Sequence, residues 1–207
     1  MQTSQELIAL LDLKNLGNNT FSGDSYTVGS PNVFGGQVLA QAVNAAYRTI
    51  PENRFLHSLH SYFLEAGDLT VPIQYKVEEM RNGGSFSTRR VTAIQHDKSI
   101  FILAASFHKK EEGFEHQTNF DANIKQPEEL LSWDDMLAQF GDFLPKSTKA
   151  FLSVKRPIEF KPVRVPNPLD PKDLPATEQV WFRLKGEKID LDHRTKQEIL
   201  TYISDYN

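Results

Sequence analysis

The sequence predicts an α+β domain in which an antiparallel sheet curls around one central helix. The first observation is that residues 35–49 have the periodicity of a single helix, with apolar side chains three and four positions apart. These side chains form one face: Val38, Leu39, Ala42, Val43, Ala46, Tyr47 and Ile50. The second observation is that residues 55–109 carry strand signals almost throughout. Because alanine is frequent on the helix face, a sheet can approach it closely, which favours the wrapped arrangement.

Local signals bound this helix on both sides. The glycine pair at 35–36 permits a start, and Pro51 marks the end. Opposite the apolar face runs a polar stripe of Gln37, Gln41, Asn44 and Arg48. Ahead of the helix, the leucines at 7–11 predict a short amphipathic helix that ends near Gly17, and residues 20–28 predict a strand.

The strand-rich region divides into four strands, over residues 55–64, 71–80, 85–95 and 99–109. Asn82-Gly83-Gly84 predicts a hairpin turn between the second and third, since a positive φ costs little at glycine. This pattern closes near residue 112, so we expect residues 1–112 to form a first domain.

The rest of the chain has a different character. Residues 113–150 are expected to be a linker that contains a helix from Pro127, a residue type favoured at a first helical position, to about Phe140. Beyond the linker we expect strands over 157–165 and 178–184, with a proline-rich loop over 166–175 between them, and then a helix that starts near Asp192. Residues 151–207 therefore read as the start of a second, incomplete unit of the same kind.

Composition excludes several classes of function. The 207 residues carry a net charge of -4 and no lysine–arginine block, which argues against a nucleic-acid partner. The absence of cysteine excludes disulfides, thiolate metal sites and cysteine nucleophiles. No signal peptide and no stretch of roughly 18 to 20 apolar residues is found, so we expect a cytoplasmic protein without a membrane partner.

Motifs of several rival chemistries are also absent, among them the Gly-x-Ser-x-Gly elbow, the Walker loop, the dinucleotide glycine fingerprint and the zinc-protease helix. His57 and His60 stand three apart in a predicted strand, where their side chains point to opposite faces and cannot readily chelate one ion. We therefore expect no metal site and no cofactor. Arg89 and Arg90 can meet phosphates or form ordinary ion pairs, and the second is the commoner role.

Eight segments in a fixed order now point to a family. They are residues 33–42, 57–64, 84–91, 105–107, 113–117, 156–160, 179–183 and 202–205, which read VFGGQVLAQA, HSLHSYFL, GSFSTRRV, ASF, GFEHQ, RPIEF, QVWFR and YISD. With these segments the chain resembles the acyl-CoA thioesterase II family, whose members are double hotdog proteins. The resemblance covers essentially the whole chain. It implies two hotdog halves, each a helix wrapped by an antiparallel sheet, and hydrolysis of fatty acyl-CoA to free acid and CoA.

The resemblance also implies a catalytic set: an Asp from the helix of the second half, with a Thr or Ser and a Gln from later segments. Asp205 matches the first position, and the chain ends two residues after it. The resemblance therefore implies that the C-terminal part of the second half is lacking. His193 and Lys196 depart from the family pattern in the last helix, where an apolar residue and a histidine are expected.

Four residues are candidates for the site. Asp205 fits a general base that activates water, and a helix end together with partial burial is expected to raise its pKa. Gly36 and Gln37 open the central helix, where free N–H groups can meet a carbonyl oxygen or a phosphate, although tight packing explains the glycines equally well. His57 either lines the acyl site or is a buried, hydrogen-bonded histidine.

Two readings of function stay open. The first is an acyl-CoA thioesterase in which Asp205 activates water. The second is a catalytically incomplete hotdog chain that binds acyl groups or pairs with a partner. A hotdog dehydratase or hydratase is a weaker third, because Asp205 matches the thioesterase pattern. We expect acyl-CoA as the substrate, and a homo-oligomer or a complementing C-terminal half as the partner, since an unfinished sheet exposes an edge.

Overall fold

The computed structural model of the protein describes residues 1–121, 123–165 and 177–206. Its helices are α1 (Ser4–Leu11), α2 (Gly35–Tyr47), α3 (Trp133–Phe140), α4 (Lys146–Ser153) and α5 (His193–Ile203), with a 3-10 turn at Pro127–Glu129. Its strands are β1 (Lys14–Gly17), β2 (Thr20–Gly23), β3 (Arg54–Phe63), β4 (Ile73–Asn82), β5 (Phe86–Gln95), β6 (Lys98–Lys109), β7 (Ile158–Pro162) and β8 (Val180–Leu184).

Six strands form one antiparallel sheet in the order β1-β2-β4-β5-β6-β3, and this sheet packs on α2. The α+β hotdog arrangement expected from the sequence is thereby confirmed. β7 and β8 form a separate antiparallel pair. The chain divides into two compact units, one of residues 7–113 with 188–206 and the other of residues 1–6 with the described part of 114–187.

The core of the first of these units lies between α2 and the sheet. Ala42, Ala45 and Ala46 have no exposed surface, and they let the strands come close to the helix axis. Two of the four residues of the polar stripe on α2 are buried as well. Gln37 and Gln41 have no exposed surface, and the Tyr75 hydroxyl donates to Gln41 Oε1 at 2.7 Å, so their amides are satisfied inside the protein.

The turns differ in one respect from expectation. The β4–β5 turn is present, but neither Gly83 nor Gly84 has a positive φ. The β1–β2 and β5–β6 turns have positive φ instead, at Asn18 (50°) and Asn19 (53°) and at His96 (49°) and Asp97 (59°). The expectation of positive φ at the glycine pair is therefore wrong. The β1–β2 and β5–β6 turns are tight two-residue turns that need a positive φ. Among non-glycine residues, Asn, Asp and His adopt a positive φ most readily.

Several elements also depart from expectation. The first helix ends at Leu11 instead of near Gly17, and β1 takes the residues that follow it. α4 was not predicted, and the helix expected from Pro127 to Phe140 is broken. Leu130 is extended, and α3 has its own N-cap at Ser132, whose hydroxyl accepts from the Asp135 N–H at 3.1 Å. The strand expected over 20–28 ends at Gly23. The proline-rich loop expected over 166–175 lies outside the described residues.

The unit that contains residues 114–187 has a small aromatic core of its own. Trp133 of α3 stacks on Phe160 of β7 with ring centroids 4.3 Å apart. The Arg156 guanidinium lies over the rings of Trp133, at 5.2 Å, and Phe151, at 4.5 Å. Since Arg156 is only 5% exposed, these rings take the place of solvent around its charge.

α5 packs along α2 in the opposite direction. The Asn44 amide Nδ2 donates to both carboxylate oxygens of Glu198, at 3.1 and 3.2 Å. Phe34, just before α2, packs edge-on against Tyr202 of α5. Glu198 is 6% exposed, and burial raises its pKa to about 7, with the Asn44 hydrogen bond acting against that rise.

The carboxylate of Glu198 makes the stability of the helix pair depend on pH. Its pKa in the folded state, about 7, lies above the ordinary value of 4.5, so the folded state holds the proton more tightly than the unfolded chain. Its contribution to stability is complete below pH 4.5 and is lost as the pH rises through 7. Each pKa unit corresponds to about 1.4 kcal/mol.

We expect Glu198→Gln to unfold like the parent at pH 4.5 and to be more stable by about 1 to 3 kcal/mol at pH 8, because glutamine has no charge to desolvate. Urea unfolding of both proteins across this range measures the difference. Glu112→Gln, at an exposed position, is the control and should follow the parent at every pH. If the free energies of unfolding of Glu198→Gln and the parent changed in parallel with pH, the raised pKa of Glu198 would be contradicted.

Candidate functional site

A cavity of about 370 Å³ opens at the N-terminus of α2. Segments from α2, the end of β3, the loop that follows β3, the start of β6 and the end of the chain supply its walls. Its lining residues are Asn32, Val33, Gly35, Val38, Phe63, Leu64, Glu65, Ala66, Gly67, Ile100, Phe101 and Asp205. Most of these side chains are apolar, and Asp205 is one of two acidic groups among them.

Asp205 reaches this cavity because α5 runs toward the start of α2. The last residue of α5 is Ile203, and the N–H of Ser204 still bonds to the Leu200 carbonyl at 3.0 Å. Asp205 itself is exposed at the cavity mouth. Nearby protein atoms nevertheless desolvate its carboxyl group, which raises its pKa, and a backbone hydrogen bond from Gly36 lowers it in part. The direction of the shift agrees with the expectation for this residue.

Two glycines make this approach possible. A Cβ atom at Gly35 would lie 2.7 Å from Asp205 Oδ2 and 2.9 Å from Phe63 Cε1. At Gly36 it would collide with the backbone oxygen of Tyr202 on α5. A side chain at either position would therefore force α5 or Asp205 away from α2.

The same glycines leave a donor near the carboxylate. Gly35 is the first residue of α2, so its N–H is one of the four that have no acceptor within the helix. The first N–H groups of a helix carry the positive end of its dipole. The contacts at Gly35 and Gly36 show close packing, while binding of a carbonyl oxygen or a phosphate by the N–H groups of this helix start stays a prediction.

Phe63 completes one wall of the cavity, and sequence reasoning did not single it out. Its ring is 5.0 Å from that of Phe101 between centroids, and its side chain is half exposed. The only signal was its place at the end of a strand dense in aromatic residues. Which of those aromatic residues lies near Asp205 depends on the position of the strand relative to α2.

The other two candidates lie away from the cavity. Gln37 is adjacent to Gly36, but its amide is used inside the protein: Oε1 accepts from the Tyr26 N–H at 2.8 Å, and Nε2 donates to Gln41 Oε1 at 3.2 Å. His57 is exposed and packs edge-on against Phe86 at 5.7 Å. The expectation of a buried His57 is wrong, because the residue sits at an irregularity in the edge strand β3. Substrate binding by Gln37 and His57 stays a prediction.

The two arginines considered for phosphate binding are engaged in structure. Arg89 is 1% exposed and donates to Thr49 and Asn82, with Glu79 at 3.4 Å, so it ties the β4–β5 turn to the end of α2. Arg90 forms an exposed ion pair with Glu78 at 4.0 Å. In the described part of the chain, no group of three His, Asp or Glu side chains is arranged to hold a metal ion. Nor does any described helix have both the length and the apolar character to cross a bilayer.

Comparison with known proteins identifies the family. Residues 23–108 match the model of the acyl-CoA thioesterase N-terminal domain. The chain is 41% identical to acyl-CoA thioesterase 2 of Haemophilus influenzae over 201 residues, which are 97% of this chain and 70% of that protein. The chain belongs to the acyl-CoA thioesterase II family.

Further relatives agree with this assignment. Human acyl-coenzyme A thioesterase 8 is 36% identical over 205 residues, which cover 95% of this chain and 64% of the human protein. The crystal structure of the acyl-CoA thioesterase II TesB2 from Mycobacterium marinum superposes with a TM-score of 0.71 at 32% identity, over 97% of this chain and 67% of that one. The chain thus spans about two thirds of the length of these family members.

We expect Gly35→Ala to push the Asp205 carboxylate out of its place, because the new methyl group would lie only 2.7 Å from Oδ2, which is too close for a Cβ contact. The pKa of Asp205 should then fall toward the ordinary aspartate range, since the displaced group regains solvent. A titration followed by carbon NMR of the Asp205 carboxyl measures this shift. Gly113→Ala, where a Cβ meets nothing within 4 Å, is the control. An unchanged pKa in Gly35→Ala would contradict the role given to this glycine.

Proposed function

We propose that this protein is a thioester hydrolase that cleaves fatty acyl-CoA to free fatty acid and CoA, with Asp205 as the general base. The observation that carries the proposal is the Asp205 carboxylate at the mouth of an apolar cavity, beside the N-terminus of α2. Membership of the thioesterase family supports the substrate class. An apolar cavity suits an acyl chain, and a carboxylate at its mouth suits the water that attacks the thioester.

The reaction follows from these groups. Asp205 accepts a proton from water while the water oxygen bonds to the thioester carbon, and the carbonyl oxygen becomes an oxyanion. In this proposal, N–H groups at the start of α2, such as that of Gly35, donate to the oxyanion. Collapse of the tetrahedral intermediate breaks the C–S bond, and the proton held by Asp205 passes to the CoA thiolate.

The raised pKa of Asp205 fits this role. A general base is most effective when its pKa lies near the working pH, because it then combines basicity with a large ionised fraction. Only the ionised carboxylate can accept the proton. Turnover should therefore rise with pH as Asp205 loses its proton, with a midpoint above the ordinary aspartate pKa of 3.8.

A second function, the binding of acyl groups without autonomous catalysis, also has support. The chain spans 64% of the human relative and 70% of the Haemophilus influenzae relative. The apolar cavity with Asp205 at its mouth also suits a chain that binds acyl groups, or one that works with a complementing C-terminal half or a second copy. A cytoplasmic location likewise stays a prediction.

We expect the chain to release thiol from medium- and long-chain acyl-CoA, and Asp205→Asn to slow this release by about 10²- to 10⁴-fold, since asparagine cannot accept the proton. Ellman's reagent is suitable because a protein without cysteine gives no background. Asp97→Asn is the control, because Asp97 is exposed in a turn whose positive φ asparagine also tolerates.

The outcomes separate the two functions. Turnover that survives Asp205→Asn would contradict the role of Asp205. If the parent shows no turnover but binds acyl-CoA in calorimetry, the result would favour the second function, acyl binding.

A further inference from the structure

Gln197 of α5 occupies the free edge of the six-stranded sheet. β3 is the last strand of that sheet, so its outer edge has no neighbouring strand within it. At Leu56, the backbone N–H donates to Gln197 Oε1 at 3.0 Å, and Gln197 Nε2 donates to the Leu56 carbonyl at 2.8 Å. The side-chain amide thus makes both hydrogen bonds that a backbone peptide of an adjacent strand would make.

The central helix takes part in the same junction. The Tyr47 hydroxyl, near the end of α2, donates to Gln197 Oε1 and accepts from the Leu56 N–H at 2.7 Å. Tyr47 is 3% exposed, so this hydroxyl is held inside the protein. Gln197 therefore joins three elements at one point: α5, α2 and β3.

Hydrogen bonds of this kind fix a helix in two ways. They are directional, so they set both the rotation of α5 about its axis and its position along α2. Aromatic contacts at the other end, such as that between Phe34 and Tyr202, tolerate small displacements more easily. Because both amide atoms of Gln197 are engaged, α5 cannot shift by one turn and keep the same hydrogen bonds.

The position of α5 in turn sets that of Asp205. Gln197 lies six residues before Ile203, the last residue of α5, which is about 9 Å along the helix, and Asp205 follows two residues later. A rotation or slide at Gln197 is carried over that length to the carboxylate. Since the fit of Asp205 against Gly35 leaves no room for a Cβ atom, a shift of about 1 Å matters there.

We propose that Gln197 is a positioning residue, whose amide clamps α5 to β3 and α2 and thereby places the Asp205 carboxylate at the start of α2. The proposal rests on the function proposed for Asp205. In this proposal, Gln197 does not contact the substrate. It explains why a half-buried polar residue of α5 points at a strand edge rather than at solvent.

The test compares two substitutions. Gln197→Met keeps the length of the side chain and removes every hydrogen bond. Gln197→Glu keeps acceptors for the Leu56 N–H and the Tyr47 hydroxyl but cannot donate to the Leu56 carbonyl. We expect Gln197→Met to lower the pKa of Asp205 toward the ordinary aspartate range and to reduce kcat for acyl-CoA by about 10- to 100-fold with KM little changed. Gln197→Glu should lose less of kcat.

The control is Thr201→Val, on the same helix. Among the described residues, the Thr201 hydroxyl bonds at 2.7 Å only to the backbone oxygen of Gln197, within α5, so its loss should leave both the pKa of Asp205 and kcat as in the parent. Near-UV circular dichroism checks that each variant is folded.

A folded Gln197→Met protein with the parent's Asp205 pKa and kcat would overturn the proposal. If Gln197→Met does not fold, the same comparison is made with Gln197→Glu, and a folded protein with parental kcat overturns it. If the parent has no turnover, the function proposed for Asp205 fails, while the Asp205 pKa in the Gln197 variants still decides the positioning role.

Discussion

The close contact between α2 and α5 is the constraint on which the site depends. Two helices can meet this closely at their ends only where side chains are absent, and Gly35 and Gly36 provide that space. The contact brings the end of one helix to the start of the other. A carboxylate from α5 then lies beside the N–H groups of α2, and neither helix has this pair of groups by itself.

Two carboxyl groups on this part of the chain show how surroundings decide a role. Glu198 and Asp205 both have raised pKa values because both are desolvated. Glu198 lies in the helix contact, where the Asn44 amide engages both of its oxygens. Asp205 lies at the cavity mouth and is exposed there. Its access to the cavity, more than its pKa, distinguishes the proposed base from the structural acid.

Much of the fold could be predicted from the sequence because its signals are local. The periodicity of α2 and the β-rich run after it predicted a helix and four strands, and the structure places all of them within a few residues of expectation. Family segments predicted Asp205. The broken helix between Pro127 and Phe140 was missed, because the capping of α3 by Ser132 interrupts a pattern that looked continuous.

The sequence by itself determined the sheet around α2, the family and the choice of Asp205 as the candidate acid, because periodicity, turn residues and motif order are properties of neighbours along the chain. Only the tertiary structure decided that Phe63 rather than His57 faces the cavity, and that Gln197 meets Leu56. These pairs are far apart in sequence. Their contacts depend on the register of β3 and the rotation of α5. Packing across the whole unit sets both, and no local sequence pattern indicates them.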